Sequence, residues 1–294
     1  MSAQPISLRS TGRVRRRKMV NRLAEAFALL AAFSAIAVLV IVVASVFRRG
    51  AGALSWDFLT KTPVTFGETG GGIANAIVGS AILVGIGALI AIPTGILVAL
   101  YVNEFARPSV KRVVRLSLDV LNGVPSIVIG IFVFSLLVVG HNQSAWAGGV
   151  ALAIIMLPLI ARSTQEVLEL VPGHLREASL ALGVSRWRTV LSVVLPTAVG
   201  GIMTGATLAV ARAAGETAPL LFTSSIAGTT VSTDVRHAVA SIPVTIFTYA
   251  EAPDPALNDQ AWAAAFVLIS FVLVLSLVSR AALGRTRRKL GDDR

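Results

Sequence analysis

Residues 177–196 read EASLALGVSRWRTVLSVVLP and predict two short helices joined at a glycine. Leu, Ala, Glu and Arg are good helix formers, so a first helix is expected over residues 175–182. Gly183 can adopt the left-handed conformation that ends a helix, and Ser185 can serve as the N-cap of a second helix. The compact, amphipathic segment suits either an ordinary connection between helices or a protrusion that enters a partner's cleft.

Six apolar runs of membrane-spanning length surround this segment. A helix needs about 20 apolar residues to cross a hydrocarbon core of about 30 Å. The runs are Leu23–Phe47, Ile73–Val102, Val113–Gly140, Ala145–Val171, Val190–Ser225 and Ala261–Ala282. The predicted fold class is therefore an all-α polytopic membrane protein with six transmembrane helices.

The composition agrees with a membrane protein and excludes several other classes. The 294 residues are 55% hydrophobic and 14% charged, whereas soluble domains average about 25% charged residues. The net charge of +11 comes from basic residues at the ends of apolar runs, not from a nucleic-acid-binding face. There is no cysteine for a disulfide framework, no P-loop for nucleotide phosphates and no metal-ligand spacing. We therefore expect a chain that acts within the bilayer or through partners, without an enzymatic site of its own.

Basic residues alternate between the two sides of the predicted spans. Seven precede Leu23, four lie within 107–115, four within 162–188 and six from residue 280 onward. The segments of opposite parity hold only four. By the positive-inside rule, both termini are expected to be cytoplasmic.

The same charge pattern divides the chain into a membrane domain and two tails. Residues 1–22 are basic and poor in apolar residues, so we expect a disordered cytoplasmic tail. Residues 23–283 are expected to form the membrane domain, and 284–294 a second basic cytoplasmic tail. Asp119 is expected near a membrane interface, at the start of the third span.

The order and spacing of the opening segment resemble the EAA loop of importer-type ABC permeases. Ser179 replaces the second alanine of that motif, and Val193 replaces its usual isoleucine. In that family the loop docks on an ATPase subunit and transmits its closure to the membrane helices. We call residues 173–195 the coupling loop. The resemblance implies an ATPase-coupling role for Glu177, Ala178, Gly183, Leu195 and Pro196.

Three further stretches are similar to the PstA-type permease subunits of phosphate-specific ABC importers. They are LNGVPSIVIG (121–130), PLIARSTQEVLELVP (158–172) and ARAAGETAPLLFT (211–223). The resemblance extends from about Gly71 to Thr223. It implies a multi-pass permease for inorganic phosphate in the bacterial plasma (inner) membrane, which forms the translocation path together with a sister permease.

The resemblance also implies two membrane arginines on the phosphate path, Arg162 and Arg212. The family often has a glutamate three residues after the first arginine, where this chain has Gln165 followed by Glu166. Either Glu166 substitutes from a helix face about 100° away, or that acid is dispensable. Arg162 could instead extend to the lipid headgroups from the end of its helix. Counted from Gly183, the depths of the two arginines differ by roughly 12 Å, which predicts successive contacts rather than one clamp.

The second arginine lies in an apolar run, where a charge costs several kcal/mol. Glu216 stands four residues after Arg212, so the two can form a pair on one helix face. We expect both to line a partly hydrated path, with the Thr217 hydroxyl beside them. Gly215 and Pro219 can loosen the helix and free backbone groups toward that path.

The resemblance implies several partners for a chain that binds no cofactor itself. They are a sister permease (PstC-type), two ATPase subunits (PstB-type) that use ATP and Mg²⁺, and an external phosphate-binding protein (PstS-type). One alternative is an importer permease for another oxyanion or small solute, because the EAA loop does not define the cargo. A less favoured alternative is an ion-coupled secondary transporter, which has no need of a coupling loop. A membrane scaffold would have no reason to hold Arg212 in hydrocarbon.

Overall fold

The computed structural model describes residues 12–64, 70–225, 228 and 230–291, with side chains described up to Val278 and at Ala281. The chain divides into two compact units, Met1–Arg49 and Gly50–Arg294. Its described residues contain no β-strand. The α-helices are α1 (Gly12–Ala53), α2 (Trp56–Thr60), α3 (Ala74–Leu100), α4 (Pro108–Gly123), α5 (Ser126–Val133), α6 (Ala145–Glu169), α7 (Gly173–Ala181), α8 (Arg186–Thr189), α9 (Leu195–Ala214), α10 (Ala218–Thr223), α11 (Ile242–Ala250) and α12 (Pro255–Gly291). Three π-helical turns cover Tyr101–Phe105, Phe134–Val138 and Val190–Val194.

The first helix is longer than the apolar run that predicts it. α1 is continuous over 42 residues and includes residues 12–22, so the expectation of disorder is wrong for that part of the tail. Arg, Lys and Met have good helix propensity, and extending an existing helix adds one hydrogen bond for each residue that it fixes. Residues 1–11 lie outside the described part of the chain. At the other end, residues 284–291 continue α12.

Within the described residues, five helical segments are long and apolar enough to cross a membrane. They are Gly12–Ala53, Ala74–Phe105, Ala145–Glu169, Arg186–Ala214 and Pro255–Val278. A sixth is obtained if α4 and the segment Ser126–Val138 count as one broken span. The predicted number of six spans is therefore reached only if this bent pair counts as one span.

The third predicted span, Val113–Gly140, is wrong as a single helix. α4 ends at Gly123, and the axis turns by 97° before the helix resumes at Ser126. Pro125 has no N–H to donate and disfavours helical backbone at the preceding residue. Val124 accordingly adopts an extended conformation, with φ −69° and ψ 129°.

The fifth predicted span, Val190–Ser225, is also interrupted. α9 ends at Ala214 with Gly215 as its C-cap, and α10 begins at Ala218 with Pro219 in its first turn. Proline is tolerated in the first turn of a helix because the N–H there has no intrahelical partner. The helix ends two residues after Arg212, so that arginine lies in the last turn of α9.

The core is built where α3, α6 and α9 pack together. The buried face of α3 repeats every four residues through Gly79, Leu83, Gly87, Ala91, Gly95 and Ala99. Gly87 lies against Leu152 and Gly95 against Ile160, so α3 and α6 run parallel. Gly201 lies against Val167 and Gly205 against Ser163, so α9 runs antiparallel to α6. Small residues at these positions let the helix backbones approach closely.

A matched pair of glycines on α3 tests the close packing of this helix against residues 239–240, which precede α11. A Cβ at Gly79 would overlap the carbonyl oxygen of Ala240, whereas a Cβ at Gly85 would meet nothing within 4 Å. We expect Gly79→Ala to destabilise the protein by about 1–3 kcal/mol, as overpacking does. Gly85→Ala should be neutral or stabilising by up to about 1 kcal/mol, through helix propensity. Thermal unfolding of both purified variants in detergent measures the difference, and equal melting temperatures would contradict the packing described.

Candidate functional site

The coupling loop has the predicted helix–glycine–helix structure. α7 ends at Ala181, Gly183 has φ +78°, and α8 begins after Ser185. The Gly183 N–H donates to the Leu180 carbonyl at 2.9 Å, and the Val184 N–H donates to the Ser179 carbonyl at 3.2 Å. This pair of bonds is a Schellman motif, which requires the left-handed residue that glycine supplies. Ser185 has the extended backbone of an N-cap but makes no side-chain capping bond.

A departure from the family motif has a structural explanation. Ser179 occupies the place of the second alanine, and its Oγ lies 2.9 Å from Oγ1 of Thr189. Both residues are buried, so each hydroxyl supplies the hydrogen-bond partner that the other requires. The contact joins α7 to α8 and makes the two helices of the loop one unit.

The predicted coupling residues lie on two elements. Glu177 and Ala178 are exposed on α7, and Gly183 is exposed at the joint. Leu195 and Pro196 instead begin α9, after the π-helical turn Val190–Val194. The loop also exposes apolar side chains that sequence reasoning did not single out, with Leu182 84% exposed and Trp187 55% exposed. Large exposed apolar groups of this kind are typical of a protein-docking surface.

Arg162 lies on α6 between two carboxylates. Its Nε is 3.8 Å from Asp119 Oδ1 on α4 and 3.8 Å from Glu166 Oε1 on the same helix. Gln165 points elsewhere: it is buried, and its Oε1 accepts a hydrogen bond from Arg115 Nε at 3.2 Å. Glu166 therefore lies beside Arg162 together with Asp119, whereas Gln165 does not.

Sequence reasoning missed the contact between Asp119 and Arg162. Lys111, Arg115 and Asp119 are spaced by four residues and therefore share one face of α4. Lys111 lies 3.7 Å from Glu169, and Arg115 also pairs with Glu169. This row of charges attaches α4 to the C-terminal half of α6. The four-residue spacing predicts that these charges share one face, but not which helix packs against it.

Arg212 and Glu216 form the predicted pair across the end of α9. Arg212 Nε lies 3.7 Å from Glu216 Oε1, with the arginine side chain 54% exposed and the glutamate 16% exposed. Thr217 is partly buried and makes no side-chain bond to the backbone of α10. The break at Gly215 places the arginine, the acid and the hydroxyl at one helix end.

The register of α6 against α9 separates the two arginines. Because Gly205 packs on Ser163, Arg162 lies level with residue 206 of the antiparallel helix. Arg212 is six residues further along α9, which corresponds to about 9 Å. This stagger compares with the roughly 12 Å expected from residue counting. The arginines occupy two levels of the helix pair.

The arginines of this region differ in how their donors are used. Arg115 donates to Gln165 and Glu169, and Arg176 donates to two carbonyls and to Glu104. Within the described residues, the guanidinium groups of Arg162 and Arg212 donate no hydrogen bond, because their carboxylate partners lie at 3.7–3.8 Å. Their guanidinium donors can therefore bind an anion without breaking an existing hydrogen bond. In the described part of the chain, no three His, Cys, Asp or Glu side chains lie close enough together to hold a metal ion.

Comparisons with known proteins agree with this architecture. Residues 91–291 match the family model described as "Binding-protein-dependent transport system inner membrane component". The phosphate transport system permease protein PstA of Yersinia pestis is 37% identical over 92% of this chain and 92% of its own length. The PstA protein of Pasteurella multocida (strain Pm70) is 41% identical over 90% of this chain and 94% of its own.

A solved structure shares the fold at low sequence identity. The chain is similar to a chain of the bacterial alginate ABC transporter in complex with its pentasaccharide-bound periplasmic protein, with a TM-score of 0.63 and 16% identity. The match covers 91% of this chain and 96% of the other. The chain therefore belongs to the family of binding-protein-dependent transport system inner membrane components and, within it, to the PstA-type permease proteins.

Proposed function

We propose that this chain is the permease subunit of an ATP-driven importer of inorganic phosphate. The observation that carries the proposal is the pair of arginines with unused donors, Arg162 on α6 and Arg212 on α9. They lie on two packed helices long enough to cross a membrane. A guanidinium in hydrocarbon is costly, so both are expected to face a path rather than lipid. The PstA-type relatives provide the cargo class that fits them.

The chemistry of phosphate suits this arrangement. Near neutral pH it is a mono- or dianion, and a guanidinium offers it a planar fork of donors. A transport path must also release its cargo, and Glu166 and Glu216 reduce the positive field at the two arginines. The Thr217 hydroxyl adds a neutral donor beside Arg212. We propose that phosphate passes the two levels in succession, about 9 Å apart.

The coupling loop is proposed to dock on a separate ATPase through α7, Gly183 and α8, and to transmit its movement through Leu195 and Pro196 into α9. The proposed assembly contains this chain, a sister permease of the PstC type, two ATPase subunits of the PstB type and an external phosphate-binding protein of the PstS type. ATP and Mg²⁺ belong to the ATPase subunits, and this chain binds no cofactor. Both termini are proposed to lie in the cytoplasm, with the chain in the bacterial inner membrane.

Uptake by the reconstituted complex tests the cargo. We expect proteoliposomes containing the four components to accumulate radiolabelled phosphate only when ATP is supplied, with excess sulfate having no effect. An ATPase with its P-loop lysine replaced provides the matched control and should give no uptake. Accumulation of another oxyanion in place of phosphate would establish the alternative importer. Uptake driven by an ion gradient without ATP would establish a secondary transporter.

A further inference from the structure

A buried ion pair connects the coupling loop to the C-terminal end of α3. Arg176, in α7, lies beside the exposed Glu177. Its Nη2 donates to Oε1 of Glu104 at 2.8 Å, and the glutamate side chain is 8% exposed. A buried carboxylate is strongly unfavourable unless it is paired and hydrogen-bonded. This contact therefore determines how α7 sits against the end of α3.

The π-helical turn at the end of α3 places Glu104 at this junction. The turn covers Tyr101–Phe105 and buries Val102 and Glu104, while Tyr101 and Phe105 remain exposed. Asn103 Nδ2 donates to the same Glu104 oxygen at 3.2 Å. Turns of this type recur where a helix needs an altered register at a functional position.

Arg176 also closes the end of α6. Its Nη1 donates to the Val171 carbonyl at 2.7 Å, and its Nη2 donates to the Leu168 carbonyl at 2.9 Å. The last carbonyls of a helix have no intrahelical partner and carry the negative end of the helix dipole. One guanidinium thus binds the C-terminal ends of two parallel helices, α3 and α6.

We propose that Arg176 is a positioning residue that transmits movement of the coupling loop to α3 and α6, a role that rests on the proposed docking of that loop. The hydroxyl contact between Ser179 and Thr189 makes the loop move as one unit. α6 is continuous from Leu168 back to Arg162, a distance of about 9 Å along the helix. Displacement of α7 therefore reaches the proposed anion-binding level of α6 through the two hydrogen bonds of Arg176 to Leu168 and Val171, and reaches the end of α3 through the third, to Glu104.

The covalent route from the loop to α9 passes through a π-helical turn. α8 leads into the turn Val190–Val194 before α9 begins. Glu104 likewise lies in the π-helical turn that follows α3, whereas the Leu168 carbonyl belongs to the α-helical end of α6. Arg176 therefore contacts α6 directly and contacts α3 through its terminal turn.

The coupling ratio of the reconstituted complex tests the proposal. For Arg176→Gln we expect normal recovery of the complex and ATP hydrolysis within about twofold of wild type. Uptake should fall at least tenfold, so that more ATP is hydrolysed for each phosphate imported.

Glu104→Gln should shift the ratio in the same direction. The double variant should be no worse than Arg176→Gln alone, because both changes remove the same contact. Arg176→Lys keeps the charge and should restore part of the ratio. Arg112→Gln removes an exposed arginine from α4 and is the matched control.

Two results would overturn the proposal. One is a wild-type ratio of uptake to ATP hydrolysis in both Arg176→Gln and Glu104→Gln. The other is a parallel loss of complex, hydrolysis and uptake in Arg176→Gln, Glu104→Gln and Arg176→Lys alike. That result would reduce Arg176 to a folding role. If Arg176→Gln alone is not recovered, Glu104→Gln and Arg176→Lys decide between these results. Failure of phosphate as the cargo would appear in the wild-type complex, whereas failure of this proposal appears only in the variants.

Discussion

Replacement of Arg212 by glutamine is expected to abolish phosphate uptake while the complex still assembles. Glutamine keeps a polar side chain in the last turn of α9, but it is shorter than arginine and carries no positive charge to bind phosphate. Loss of one partner from a charged contact out of bulk water costs about 2–5 kcal/mol, which corresponds to a fall of at least about thirtyfold. Arg212→Lys retains the charge without the planar fork and should keep at most partial uptake.

The control for this experiment is Arg112→Gln, which removes an exposed arginine from α4 and should leave uptake unchanged. Recovery of the complex by affinity purification separates loss of transport from loss of assembly. Wild-type uptake by an assembled Arg212→Gln complex would limit the pair with Glu216 to helix stabilisation. It would also remove the main support for an anion path at this level of α9.

Gly183→Val is expected to disconnect the coupling loop from the ATPase. At φ +78° a β-branched side chain is strained, even though a Cβ there would meet nothing within 4 Å. The cost of order 1–3 kcal/mol falls on the Schellman motif between α7 and α8. We expect lost ATPase association or hydrolysis without transport, with the membrane helices still inserted. Co-purification of the ATPase and the hydrolysis rate measure the two outcomes.

Gly183→Asn is the matched control, because asparagine tolerates left-handed backbone better than other side chains. It should retain most coupling. Normal transport together with normal recovery of the complex in Gly183→Val would refute the docking role of this joint. Equal defects in the valine and asparagine variants would show that the partner requires the absence of a side chain at Gly183, and not its backbone conformation.

The coupling loop could be predicted from the sequence because its determinants are local. Helix formers and one glycine lie within a dozen residues, and each acts on its own backbone. The Arg212–Glu216 pair is predictable for the same reason, since a four-residue spacing on a helix brings side chains together. Such signals do not depend on how the rest of the chain packs.

The bend between α4 and α5 was missed because average hydropathy does not register a change of direction. Its signal was present as Gly123 and Pro125, within the stretch LNGVPSIVIG. The orientation of Gln165 and Glu166 could not be predicted, because Arg115, on a different helix, holds Gln165. Arg176 and Glu104 were missed for a similar reason, since their contact joins distant parts of the chain.

The bend also affects how the protein is made. Ser126–Val138 is only about 20 Å long, short of the hydrocarbon core of about 30 Å. α4 carries Lys111, Arg112, Arg115 and Asp119 and cannot enter lipid by itself. The surfaces that receive the two arms, α6 for α4 and α10 for α5, are synthesised later. We therefore expect the bent pair to complete its integration into the bilayer only after α10 has been synthesised.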